Sequence, residues 1–176
     1  LHWITEFIGT ESLQKLADLG KPLVWTLHDE RAFTGGCHYT FGCMKYRNTC
    51  SECPQIKENL SWLPEHNLKS RNKLRDIPLT FICPSQWMQS QLIHSRIFNP
   101  KTHRSEVIPY SIDLEKFKPL DTRRINSLKK DYDIDKDSVC LLSGSFSLEE
   151  DRKGINYIIQ ALRILSDILK NRKGSK

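Results

Sequence analysis

No apolar run in these 176 residues approaches the ~18–20 residues that a membrane-spanning helix requires, so a helical span within the sequence is excluded. The opening residues lack the charged, apolar and small-residue regions of a signal peptide. Internal repeats and low-complexity tracts are missing too, which removes solenoids and biased linkers from consideration. There is no Walker loop and no dinucleotide fingerprint. No recognised nucleic-acid signature is present, and aromatic residues are not interleaved with the basic clusters. An initiator Met is also lacking. The start Leu1-His2-Trp3-Ile4 reads as the end of a strand entered mid-element, and the natural N-terminus is expected to lie upstream.

What is present suits a soluble globular chain. Apolar residues make up 38% and charged residues 27%, and the length allows one ordinary domain or parts of two. The formal net charge is +6. One basic cluster lies in the C-terminal tail (Lys170, Arg172, Lys173, Lys176), another at Lys69, Arg71, Lys73 and Arg75. Such clusters are solvated helix faces in the plain reading and attract anionic partners in the functional one. Six cysteines without a secretory signal argue for a reducing, cytoplasmic setting.

Along the chain, strand patterns alternate with helix patterns. Thr10 is positioned to cap a helix running to about Leu19, with Gly20 as its stop. A buried strand is expected over Pro22–Leu27, then a loop at 29–56, then a basic helix at about Glu65–Arg75. Leu79–Cys83 reads as a strand, and Ser85 as the cap of a helix from Gln86 that ends before Asn99-Pro100. Glu106-Val107-Ile108 reads as a further strand. The proline-punctuated segment from Pro109 to Pro119 has the character of a domain junction. Beyond it a polar helix at about Asp121–Asp131 leads to a strand at Ser138–Leu142. A last helix from near Lys153 carries Ile155, Ile158, Ile159, Leu162 and Leu165 on one stripe. This alternation predicts an α/β fold with a parallel sheet. A lone strand–helix unit after the junction cannot bury its own apolar face, so the sequence is expected to stop inside a second domain.

Three groups of residues could carry chemistry. His28-Asp29 follows a hydrophobic strand, where open α/β sheets place their ligand crevice. A histidine there can shuttle a proton or donate a hydrogen bond, or simply bond a loop carbonyl. The loop after it holds Cys37-x5-Cys43-x6-Cys50-x2-Cys53. Four thiolates suit a tetrahedral structural zinc, and a metal would explain how so long a loop stays ordered. Reduced buried thiols and two disulfides are the competing readings. Cys83 and Cys140 fall in expected strands and read as core residues. Finally, Gly144 with Arg152-Lys153-Gly154 forms a turn and a basic helix start, which suits a phosphate. The acidic run Glu149-Glu150-Asp151 works against that field.

Taken in order, these pieces resemble family 4 of the glycosyltransferases, which has the GT-B architecture. The segment WTLHDERAFTGGCHYTFGC…C..CPQ resembles the "TLHDxWAFTGGCHY" stretch of a bacterial subgroup. It departs from it around Arg31, where Ala32-Phe33 follows without the Trp. Phe81–Trp87 resembles "VTPSxW", and Glu106–Asp113 with Phe117-Lys118-Pro119 resembles the connector "VIPNGIDTxxFKP", with Tyr110-Ser111 in place of Asn-Gly. Leu141–Gly154 resembles "LFGAxSLxxxRKG". The four blocks span most of residues 21–160.

The resemblance implies Rossmann-like parallel sheets in two domains, both incomplete in this chain. Residues 1–109 would form the later part of an acceptor-side domain with its cysteine-rich loop at 29–56. Residues 110–119 would be the connector, and 120–176 the start of the nucleotide-sugar domain. It implies a retaining transferase of hexosyl type. A sugar would move from a nucleotide-diphosphate donor to a hydroxyl of a saccharide or lipid-linked acceptor, in cell-surface polysaccharide or glycolipid synthesis. His28 would approach the transferred sugar. Lys153, with Arg152, would neutralise the diphosphate, and Gly144 would let the backbone approach it. No cofactor is required for this chemistry. The setting implied is cytoplasmic with peripheral membrane contact, and no nucleic acid is expected. A paired-Glu donor motif would lie beyond Lys176 and a glycine-rich loop before Leu1, so these residues alone are expected to be inactive. The alternatives are a zinc-stabilised basic module that binds nucleic acid, tested by salt-dependent binding, and a non-catalytic gene remnant.

Overall fold

The structure, a computed structural model, describes residues 1–5, 7–147 and 150–173. They divide into two compact units, Leu1–Asp113 and Leu114–Lys176.

The first unit is α/β. Helix α1 (Thr10–Ala17) leads to strand β1 (Leu23–Thr26). After the cysteine loop come helix α2 (Trp62–Arg71), strand β2 (Leu79–Cys83), helix α3 (Gln86–Ile93) and strand β3 (His103–Val107). The three strands form one parallel sheet in the order β1-β2-β3, with Leu23 opposite Leu79 and Leu79 opposite His103. Leu1 lies along β1 as well. Its backbone nitrogen donates to the Val24 carbonyl at 2.6 Å, and its carbonyl accepts from the Thr26 N–H at 2.9 Å.

The central strand explains the core. Leu79, Phe81 and Cys83 are buried while Thr80 and Ile82 are only partly covered. Period-2 alternation thus sends one face of β2 into a cluster with Leu27, Leu68, Leu74, Ile77 and Leu92. Each such side chain contributes about 1.5–3 kcal/mol by leaving water. His103 is buried beside Phe81, with its Nε2–H donating to the Leu74 carbonyl at 2.8 Å. Its Nδ1 accepts from the Asn99 N–H at 3.1 Å, so the ring is neutral and its tautomer is set. These bonds start β3 at His103, three residues before the expected Glu106. Ser85 caps α3, its hydroxyl accepting from the Met88 N–H at 3.2 Å. Thr10 is not a cap: Gly9 holds that position, with extended backbone and no side-chain bond.

The second unit contains helix α4 (Thr122–Asp131), capped by the Asp121 carboxylate on the Arg124 N–H at 2.9 Å, and helix α5 (Ile155–Lys173). The strand expected at Ser138–Leu142 does not form. Val139, Leu141 and Leu142 are exposed, as is Cys140, which is therefore not a core residue. A strand needs a neighbour to receive its N–H and C=O groups, and none is available to this segment among the described residues. On α5 the stripe side chains Ile159, Leu162 and Leu165 are likewise exposed, while Ile155 and Ile158 are half-buried. Glu149 of the acidic run and Lys176 of the basic tail lie outside the described residues. No helix among the described residues is long and apolar enough to cross a membrane.

Candidate functional site

The β1 ladder carries on to Leu27, whose N–H donates to the Ile82 carbonyl at 2.9 Å. His28 is therefore the first side chain past the carboxyl end of the sheet. Its ring is stacked between His2 and Tyr110, at centroid distances of 5.4 and 5.6 Å. Nδ1 lies 2.7 Å from the Tyr110 hydroxyl and Nε2 lies 3.1 Å from His2 Nδ1. The Tyr110 hydroxyl also reaches the Leu27 carbonyl at 3.4 Å. One assignment satisfies all three contacts: His28 donates to Tyr110, Tyr110 donates to Leu27, and His2 donates to His28 Nε2. His28 forms part of the wall of a cavity of about 290 Å³, along with Trp3, Trp25, Asp29, Arg31 and Arg71.

Beside it is a second chain of polar contacts that the sequence reading missed. Arg31 Nη1 lies 2.9 Å from His38 Nε2, and His38 Nδ1 lies 2.6 Å from Asp29 Oδ2. A guanidinium can only donate, so His38 Nε2 must accept. The ring hydrogen is then on Nδ1 and donates to Asp29, which leaves His38 neutral. The other Asp29 oxygen accepts the Arg31 N–H at 2.9 Å. The adjacent Glu30 is buried and accepts from the Thr40 N–H at 2.7 Å and the Thr40 hydroxyl at 3.1 Å. Burial pushes its carboxyl above the usual range, and these two donors only partly offset that. No spacing signal in the sequence pairs residues 29, 31 and 38. They meet because the loop turns through Gly35-Gly36 and brings His38 back over the strand end.

The loop is ordered by core side chains of its own. Phe33 and Tyr46 are fully buried and pack edge to face at 5.6 Å. The Tyr46 hydroxyl donates to Gln91 Oε1 on α3 at 2.7 Å. At Gly35 the loop backbone comes so close to α2 that a Cβ there would sit 2.4 Å from the Pro64 carbonyl oxygen. Cys37, Cys43, Cys50 and Cys53 line one small cavity of about 10 Å³, and all four are free thiols. Burial, and then the neighbouring thiols, push the Cys37 thiol up to about 11. Burial also raises Cys50, against a partial offset from the Gly35 N–H. Among the described residues, no three His, Cys, Asp or Glu side chains stand in an arrangement ready to hold a metal ion.

The residues named for the phosphate are in the second unit. Gly144 lies in coil with no strand before it, and a Cβ added there would meet open space. Arg152 and Lys153 are on a short 3-10 turn, Asp151–Lys153, ahead of α5. Arg152 is ion-paired with Glu150. The strand–turn–helix cradle expected around these residues is therefore not assembled among the described residues.

A 34-residue stretch of the chain is 47% identical to an Escherichia coli (strain K12) protein described as "Putative colanic acid biosynthesis glycosyl transferase WcaC". The match covers 19% of this chain and 8% of that protein's length. No protein-family model matches the chain, and no solved structure matches it.

Proposed function

We propose that this chain is part of a retaining, nucleotide-sugar-dependent glycosyltransferase of family 4 with the GT-B architecture. It would move a hexose to a hydroxyl of a saccharide or lipid-linked acceptor in cell-surface polysaccharide or glycolipid synthesis. The observation that carries this reading is the 34-residue match, at 47% identity, to a protein described as a glycosyl transferase. The parallel sheet supports it, with His28 on a cavity wall at the strand end where α/β folds bind ligands.

In this reading the unit Leu1–Asp113 serves the acceptor, and Leu114–Lys176 begins the donor-binding part. His28 approaches the transferred sugar. Its ring is already held by Tyr110 and His2, so little orientational freedom is lost when substrate arrives. Gly144, Arg152 and Lys153 serve the departing diphosphate, where fixed positive charge stabilises the leaving group. The setting is cytoplasmic, with peripheral contact to a membrane carrying the acceptor.

The chemistry needs no metal; a zinc in the cysteine loop would be structural only. Metal analysis of the purified chain tests that separately. One zinc per chain assigns the four thiols to it, and none leaves the loop resting on Phe33 and Tyr46.

The test of the transferase reading is an assay of the protein from the intact reading frame with a panel of labelled UDP- and GDP-hexoses. Sugar transfer is expected, with kcat/KM lowered by about 100-fold or more in His28→Ala. No transfer from any donor, or full activity in His28→Ala, would sink the assignment of this residue or of the activity. The 176-residue chain alone is expected to transfer nothing.

A further inference from the structure

Among its described residues, the wall of the 290 Å³ cavity at the end of β1 holds two guanidiniums and one carboxylate. Arg31 and Arg71 are both part of its wall. Neither makes an ion pair with a carboxylate among the described residues. Arg31 spends one guanidinium nitrogen on His38, which is neutral for the reason given above. Arg71 donates to the Thr34 carbonyl, a neutral acceptor. Among the described residues, the one carboxylate on the cavity wall is Asp29, whose two oxygens accept from the Arg31 backbone N–H and from His38. Glu30 is turned to Thr40.

Two guanidiniums held near one another in a partly desolvated wall are unfavourable unless something compensates them. The strain registers at Arg71, where burial and the nearby Arg31 charge both press its pKa down. Among the described residues of the wall, Asp29 supplies one negative charge against the two guanidiniums. A guanidinium fork is suited to a carboxylate or phosphate, whose oxygens it can meet two at a time. Trp3 and Trp25 contribute aromatic surface to the same cavity, against which a pyranose ring can pack. The volume is that of a small ligand.

We propose that this cavity binds an anionic saccharide, a sugar bearing a phosphate or carboxylate group, with Arg31 and Arg71 on the oxyanion and Trp3 and Trp25 against the ring. The proposal deepens the transferase reading, since it names the acceptor as acidic close to its reacting hydroxyl. The site itself stands on the cavity geometry and can be tested without turnover.

The experiment uses the full 176-residue chain and its tryptophan fluorescence, because two of its four tryptophans line the cavity. Glucose 1-phosphate, glucuronate, inorganic pyrophosphate and neutral glucose are titrated separately. Saturable quenching by an acidic sugar, with glucose at least about tenfold weaker, is the expected result. Preference for glucose 1-phosphate over glucuronate assigns a phosphate, and the reverse assigns a carboxylate. Pyrophosphate binding as tightly as either sugar would remove the saccharide from the proposal. Arg31→Gln is expected to weaken binding about tenfold or more with an unchanged melting curve. Arg71→Lys keeps the charge but loses the fork, and is expected to weaken it by less. If Arg71→Lys fails to fold, Arg31→Gln decides alone. Equal binding of glucose and the acidic sugars, or an Arg31→Gln protein that binds as the wild type does, would overturn the site. Those outcomes leave the transferase assay untouched. A bound acidic sugar with no transfer by the intact protein would instead overturn the activity and keep the site.

Discussion

The two units differ in how their apolar residues are used. In Leu1–Asp113, Leu27, Phe33, Phe81 and Leu92 are almost wholly covered, and three strands share one hydrogen-bond ladder. In Leu114–Lys176 Ile159, Leu162 and Leu165 of the α5 stripe are exposed, and the segment read as a strand is exposed coil. Apolar content barely separates them, and both have the patterning of half-buried elements, although the second unit is the more highly charged. The difference is partners. A strand or an amphipathic helix is stable only against something that takes its backbone groups and its apolar face. Three strands and their helices are enough for that, whereas one strand pattern with two helices is not.

The sharpest way to break this comparison is to remove the loop's anchor in the first unit. Tyr46→Ala is expected to destabilise the Leu1–Asp113 unit by about 3–5 kcal/mol, the range for truncating a large buried aromatic side chain. Denaturant melts followed by far-UV circular dichroism check it; a loss under ~1 kcal/mol would mean that the loop is held by something else, a metal included. Next is Gly35→Ala. Its Cβ would strike the Pro64 backbone carbonyl, which cannot swing aside as a side chain end can. A loss of about 1–3 kcal/mol is expected, the range for overpacking.

A smaller effect concerns pH. Burial lowers the His103 pKa below its ordinary 6.5. The unfolded chain therefore takes up this proton before the folded one does. The stability tied to the neutral ring is present above 6.5 and drains away as the pH falls through and below that value. His103→Gln should flatten that part of the stability–pH curve, and an unchanged slope would count against the buried neutral ring. The smallest effect is expected in the second unit. Leu165→Ser on the exposed stripe of α5 should change stability by less than about 0.5 kcal/mol in this chain. A large loss would show that the stripe is covered in solution, and the contrast between the units would fail.

Much of the first unit was legible in sequence. Leu79–Cys83 alternates as a half-buried strand should, and Ser85 after Pro84 marks a helix start by its own hydrogen-bonding chemistry. Both features are local, so both survive without knowledge of the fold. His28 was legible as a strand-end residue for the same reason. Its clamp by His2 and Tyr110 was not, because those partners are 26 and 82 residues away. The spacing of the cysteine loop suits a structural zinc, reduced thiols or disulfides alike, and it says nothing of the buried aromatic anchors. Tyr46 stands among Lys45, Arg47 and Asn48, where nothing local marks it as core. Ser138–Leu142 failed in the opposite sense, since its pattern is that of a strand but no neighbour is there to pair with it.

The sequence by itself determined the alternation of strands and helices in the first unit and the helix start at Ser85, because each follows from the torsions and hydrogen-bonding groups of a few adjacent residues. Tertiary structure alone decided that Arg31 reaches His38, that Arg31 and Arg71 share a cavity with His28, and that Asp29 is already spent. Those depend on where the loop and α2 come to rest against the sheet. Long-range packing sets that position, and no short window of sequence encodes it.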